Sequence, residues 1–215
     1  EKSVYKLEQL LKIGSKDEIK SFLDEILSGK TREGIDYIII QILATAHRCV
    51  SVLPDGNAAA ELFTSNNSFM SRLSFDFNEQ YKNELVSLCL DARDIISRSQ
   101  RHESEALCDH ALQIINEEYM NEDLSLTDAS DKLGISPNYL STLIKKTRKD
   151  NFISLLTERR MKAAYDMLVM TSMRVLEIAE KCGYSDQHYF SYCFKKYYGV
   201  SPNKYREERL GGKDI

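Results

Sequence analysis

The sequence predicts an all-α protein: a C-terminal pair of helix-turn-helix units joined by a long helix, preceded by a helical N-terminal domain. Three observations carry this. Only 3 prolines and 9 glycines interrupt 215 residues in which Leu, Ile, Glu, Lys and Ala are common, a composition that favours helices. Apolar residues recur at three-and-four spacing along most of the chain. One helix–turn–helix pattern also occurs twice in the second half, about 50 residues apart.

The repeat is read by laying Leu126 to Lys149 over Val175 to Gly199. Lys132-Leu133-Gly134-Ile135-Ser136 then matches Lys181-Cys182-Gly183-Tyr184-Ser185. With one extra residue in the second turn, Leu140-Ser141 matches Phe190-Ser191, and Ile144-Lys145-Lys146 matches Phe194-Lys195-Lys196. In the first unit Ser125 or Thr127 can cap a short helix that buries Ala129 and Leu133, and Gly134 supplies the left-handed residue that ends it. Ser136 caps the next helix with Pro137 in its first turn. Leu140, Leu143 and Ile144 form its buried stripe. The second unit runs through Ile178, Ala179 and Cys182, turns at Gly183 and resumes with Ser185 or Asp186 as cap. Its stripe is Phe190, Cys193 and Phe194.

A helix held outward by a glycine turn is how a recognition helix is presented to DNA. The polar positions away from each stripe are Asn138, Ser141, Thr142, Lys145 and Lys146 in one unit, and Gln187, His188, Ser191, Lys195 and Lys196 in the other. Base contacts are expected from Asn138, Ser141, Thr142, Gln187, His188, Ser191 and Tyr192. Phosphate contacts are expected from Lys145, Lys146, Arg148, Lys195, Lys196 and Lys204. Between the units, Asn151 to Met170 reads as one helix of roughly 30 Å, close to the ~34 Å between successive major grooves on one face of B-DNA. From Lys132 to Arg206 there are 14 basic residues against 6 acidic ones, within a chain of net charge −4. The overall acidity therefore hides a local basic surface.

These residues resemble the DNA-binding domain of the AraC/XylS family. The resemblance is carried by the run from Ile178 to Ser191, with Gly183-Tyr184-Ser185-Asp186 at its centre, and by Phe194-Lys195-Lys196-Tyr197-Tyr198-Gly199-Val200-Ser201-Pro202 and Lys204-Tyr205-Arg206. Ser136-Pro137-Asn138-Tyr139-Leu140-Ser141 and Arg159-Arg160-Met161-Lys162-Ala163-Ala164 carry it upstream, so that it covers roughly Leu107 to Arg209. It implies seven helices, recognition helices in adjacent major grooves of promoter or operator DNA, and activation or repression of transcription with RNA polymerase as a further partner. Three positions depart from the family pattern. Lys149 stands where Gly is frequent, Tyr192 where Arg is frequent, and Thr142 is short where a long basic side chain is common. With fewer strong base contacts, recognition would lean more on DNA shape.

The domains expected are 1–103, regulatory or dimerising, and 104–215, DNA-binding. In the first, Ser15 and Glu18 form a capping box before Ile19, Phe22, Leu23, Ile26 and Leu27, and Gly29 is expected to end that helix. A helix from about Thr31 to Leu53 is apolar nearly all round and is expected at the centre of a core. Pro54-Asp55-Gly56-Asn57 reads as a loop. A third helix begins near Asn78 and continues through the polar stretch Ser97 to Ser104 into Asn116. This half loosely resembles the helical region between receiver and DNA-binding domains in YesN-type response regulators. That likeness implies a receiver domain upstream, and a chain starting at Glu1 rather than Met fits a longer parent.

Other function classes find no support. The apolar run from Tyr37 to Ala46 is too short for a bilayer and no secretory signal opens the chain, so a cytoplasmic, membrane-free protein is expected. Cys49, Cys89, Cys108, Cys182 and Cys193 form no CxxC pair, and His47, His102, His110 and His188 are scattered; packed thiols, no metal and no cofactor are expected. No phosphate loop, catalytic triad or paired catalytic carboxylates occur, so no enzyme is expected. The other reading kept open is a helical protein-interaction adaptor with a degenerate DNA-binding pair.

Overall fold

The computed structural model describes residues 2–28, 32–65 and 79–210. Among them there are eleven helices and no strand. The chain packs as two units that divide between Glu103 and Ser104.

The first unit holds α1 (Lys2–Ile13), α2 (Lys16–Leu27), α3 (Arg32–Ser51), α4 (Ala58–Ser65) and the first part of α5 (Glu79–Glu118). α2 starts on a capping box: the Ser15 Oγ accepts from the Glu18 N–H at 3.2 Å, and the Glu18 carboxylate accepts from the Ser15 N–H at 2.7 Å. The Ser15 N–H and, at 2.8 Å, the Ser15 hydroxyl both donate to that carboxylate and hold it below its ordinary pKa. Leu7, Leu11, Ile19, Leu23, Ile42, Leu62, Leu85, Leu88 and Ile96 make the core. Gly29, Thr31 and Asn78, expected at helix ends, lie outside the described residues.

α3 departs from the expectation of burial on every side. Ile39, Ile42, Ala46, Cys49 and Val50 are buried, whereas Tyr37 and Ile40 are 65% and 63% exposed. The buried set follows one helical stripe, because α1, α2 and α4 approach α3 along that stripe. An apolar circumference in the sequence does not by itself recruit neighbours to every face. α5 carries straight on through the polar stretch from Ser97 to Ser104 as one helix of 40 residues; polar residues with adequate helix propensity interrupt a buried stripe without ending a helix.

The second unit comprises the end of α5, then α6 (Leu126–Leu133), α7 (Pro137–Arg148), α8 (Phe152–Met170), α9 (Val175–Lys181), α10 (Gln187–Tyr198) and α11 (Pro202–Leu210). That makes seven helices around a core that includes Ile115, Leu140, Ile144, Leu156, Ala164, Ile178, Phe190 and Phe194. Local chemistry sets most of the boundaries. Of the two candidate caps for α6 it is Ser125 that bonds, accepting from Asp128 N–H at 3.2 Å while Asp128 accepts from Ser125 N–H at 3.0 Å. Ser136 caps α7, Asn151 caps α8 and Asp186, rather than Ser185, caps α10.

Each two-helix unit ends in a left-handed residue, Lys149 at φ +59 after α7 and Gly199 at φ +84 after α10. A residue bearing Cβ in that conformation costs about 1–2 kcal/mol, so the first unit holds strain that the second does not. Lys149→Gly should therefore stabilise the protein by about 1 kcal/mol. A higher urea midpoint at unchanged slope checks this; an unchanged or lower midpoint would show that the Lys149 side chain compensates for its backbone.

One buried cation ties this unit together. Arg160, on the linking helix α8, is only 8% exposed. Its Nε donates to the Tyr119 carbonyl at 2.9 Å, its terminal nitrogen donates to the Asn121 carbonyl at 2.7 Å, and the guanidinium sits 5.2 Å from the Tyr184 ring. Burial lowers its pKa from the ordinary value while Tyr184 opposes the shift. The end of α5, the linking helix and the turn of the second unit thus meet at one side chain.

Candidate nucleic-acid interface

At about 100° per residue, the core stripe of each second helix leaves an opposite ridge. On α7 that ridge is Asn138, Thr142 and Lys145, flanked by Ser141 and Lys146, and all five are exposed. The Thr142 hydroxyl donates to the Asn138 carbonyl at 2.9 Å, which leaves the Asn138 side-chain amide uncommitted to it.

On α10 the ridge is built differently. Tyr192 lies at its centre, with His188 and Lys196 on either side and Lys195 and Tyr189 on the shoulders, all exposed. Gln187 and Ser191 are half-buried and sit at the edge of the core stripe. Phe190 and Phe194 are fully buried beneath this helix. Asp186 anchors the start of the ridge, its carboxylate accepting from His188 N–H at 2.6 Å and Tyr189 N–H at 3.3 Å.

Tyr189 is a residue that the sequence reading passed over. It is 59% exposed and stacks against Tyr192, itself 62% exposed, with ring centroids 6.5 Å apart and planes inclined by 21°. Its counterpart in the first unit, Tyr139, is 47% exposed. The available signal was azimuth: Tyr189 and Tyr192 are three positions apart, hence neighbours on one face.

The cations divide into two groups. Lys145, Lys146, Lys195 and Lys196 are exposed and make no ion pair among the described residues. Arg148 is engaged by the Asp109 carboxylate, and Lys204 lies 3.8 Å from Glu208. Several of the 14 basic residues counted between Lys132 and Arg206 serve the fold instead. Arg160 is buried, Lys132 pairs with Glu118, Lys162 with Glu158, and Arg159 lies 4.0 Å over the Tyr119 ring. The excess charge available to an anionic partner is thus smaller than the count, and it is concentrated at the C-terminal ends of α7 and α10. α8, which joins the two units, has 19 residues and spans roughly 28 Å.

No group of three or more His, Cys, Asp or Glu that could hold a metal ion occurs among the described residues. The five cysteines are unpaired, and burial pushes the Cys89 and Cys182 thiols up to about 12. A thiol so protonated is a poor nucleophile at neutral pH.

Comparison with known proteins bears on these two ridges directly. Residues 129–208, which contain both, match the helix-turn-helix domain family. That segment is related to the helix-turn-helix regions of AraC/XylS-type and YesN-type transcriptional regulators. The chain is 34% identical over 122 residues to the uncharacterized transcriptional regulatory protein YesN of Bacillus subtilis, a match covering 55% of this chain and 33% of that protein. It is 31% identical over 137 residues to the uncharacterized HTH-type transcriptional regulator YtdP of the same organism, covering 63% of this chain and 17% of that one. Among solved structures, the C-terminal domain of AraT, a response regulator from Geobacillus stearothermophilus, is 45% identical, with 48% of this chain and 85% of that chain covered and a TM-score of 0.47. The chain spans a third or less of the length of these two curated relatives. No helix among the described residues is long and apolar enough to cross a membrane.

Proposed function

We propose that the protein is a sequence-specific, DNA-binding transcriptional regulator that lays α7 and α10 in adjacent major grooves of promoter or operator DNA. The observation that carries this reading is the pair of outward ridges, each ending in two exposed lysines, at either end of a helix about one groove repeat long. Asn138, Ser141 and Thr142 on α7 are the base-contacting set, with His188 and Tyr192 central on α10 and Gln187 and Ser191 at its edge. Lys145, Lys146, Lys195 and Lys196 take phosphates. Arg148 and Lys204 can join them on exchanging their carboxylate partners for the DNA backbone.

The first unit is read as the regulatory part, serving dimerisation or signal relay in the cytoplasm, with a receiver domain upstream as signal input and RNA polymerase as the partner at the promoter. The exposed Tyr37 and Ile40 on α3 support a contact role for it. Two chains on one operator would gain avidity through effective concentration without new contacts.

Footprinting of the purified chain, with sedimentation of the same complex, tests both parts. Each chain is expected to protect two patches about 10 bp apart on one DNA face, with two chains, and so two such pairs, per operator. Protection confined to a half-turn would remove the two-groove placement, and none at physiological salt would remove the DNA reading and favour a protein-interaction adaptor, whose affinity need not fall linearly with the logarithm of salt. One chain per operator would remove the dimerising role.

A further inference from the structure

The centre of the α10 ridge is an aromatic plate rather than a hydrogen-bonding fork. Tyr192 faces outward, Tyr189 stacks against it, and Tyr189 in turn lies 6.1 Å from the ring of Tyr184, inclined by 56°. Tyr184 is buried, packs against Phe190 at 5.5 Å and is held under the Arg160 guanidinium. The neighbouring Cys193 pushes the Tyr189 phenol up from its ordinary pKa. The exposed pair is therefore the outer end of a ring series rooted in the core, and few rotamers remain to be frozen when something docks on it. Lys195 and Lys196, exposed beside it, supply the charge to hold that face against a phosphate backbone.

We infer that Tyr192, held by Tyr189, is a specificity-determining residue that reads the C5 methyl group of thymine in the major groove. The inference rests on the DNA-binding reading proposed above and gives it a chemical identity at one position. The major groove offers an apolar group only at thymine. Cytosine presents an amino group and a bare C5 edge there, and guanine and adenine present polar edges. A rigid aromatic face covers a methyl well and gains nothing from those alternatives, so the plate selects thymine by burial and disfavours the others by leaving their polar edges unpaired. His188, adjacent on the ridge, remains free to hydrogen-bond the neighbouring base.

Deoxyuridine isolates the interaction, because it keeps every hydrogen-bonding atom of thymidine and lacks only the methyl. A duplex selected from a random pool by the full chain is resynthesised with each thymine replaced singly by uracil. Wild-type protein should lose about four-fold in affinity at one or two adjacent positions of the half-site under α10, the equivalent of one buried methyl. Tyr192→Ala should bind the thymine and uracil duplexes equally at those positions, whereas Tyr192→Phe should keep the ratio, since the ring and not the hydroxyl makes the contact. Equal binding of thymine and uracil by wild type at every position overturns the inference while leaving DNA binding intact. A thymine preference that survives in Tyr192→Ala overturns it as well. If no duplex is recovered or bound, the DNA-binding reading itself falls, and this inference with it.

Discussion

Gly183→Ala is expected to destabilise the C-terminal unit by about 2–5 kcal/mol and to loosen the second helix-turn-helix unit from the first. Two costs combine. The residue sits at φ +76, where any Cβ costs about 1–2 kcal/mol. A Cβ there would also lie 2.5 Å from the Tyr119 carbonyl oxygen and 2.8 Å from a terminal nitrogen of Arg160. The first neighbour is backbone, and the second is the buried guanidinium that satisfies the Tyr119 and Asn121 carbonyls. Moving it leaves buried acceptors unpaired, at about 1–3 kcal/mol. Gly134→Ala is the matched control: its φ is +67 and a Cβ would meet nothing within 4 Å, so only the backbone cost of about 1 kcal/mol applies. Because two packed units need not unfold together, the readout is hydrogen exchange of α9 and α10 amides in the whole chain. Protection there should fall far more in Gly183→Ala than protection of α6 and α7 falls in Gly134→Ala. Equal losses in the two variants would show that the steric contact at Gly183 relaxes freely.

The contrast between these glycines marks where the sequence was legible. Both were readable as helix-ending glycines, since Lys-x-Gly-x-Ser recurs in each unit and the φ requirement is local. Ser136-Pro137 and the continuous helix read from Asn151 to Met170 were readable for the same reason, although Asn151 caps that helix rather than opening it: caps and periodicity depend on residues within one turn. What distinguishes Gly183 from Gly134 is a neighbour 64 positions away in the case of Tyr119, and nothing within one turn encodes that. Arg160 shows the same limit. Adjacent to Arg159 in a basic stretch, it reads as one more cation of a DNA-binding surface. The fold turns it inward onto two carbonyls and sends Arg159 over Tyr119. On the recognition helices the apolar stripes were legible, but the width of the core was not. Gln187 and Ser191 look as outward as Asn138 and Ser141, yet in the fold they are half-buried.

Replacing Lys145, Lys146, Lys195 and Lys196 together by Ala should lower affinity for every duplex by about three orders of magnitude at 0.15 M salt. If each lysine neutralises one phosphate, each contributes about 0.9 to the slope of log affinity against log salt. At that salt concentration the same relation makes each contact worth about five-fold, hence about 10³-fold for four. The slope itself should become shallower by about 3.6, or about 0.9 for a single replacement. Preference between operator and random duplex should change little, because phosphates carry no sequence information. The fold should tolerate the change, as all four side chains are exposed and make no ion pair among the described residues. Arg148→Ala should cost less than any one of them, because its guanidinium must first leave the Asp109 carboxylate to meet a phosphate. Titrations of each variant from about 50 to 200 mM salt decide the matter. A slope that moves by less than about 1 in the fourfold variant would mean that phosphates are held elsewhere and that the two ridges do not face the DNA backbone. A single replacement that instead altered preference at one base position would assign that lysine to the base edge, where guanine O6 and N7 are its natural acceptors.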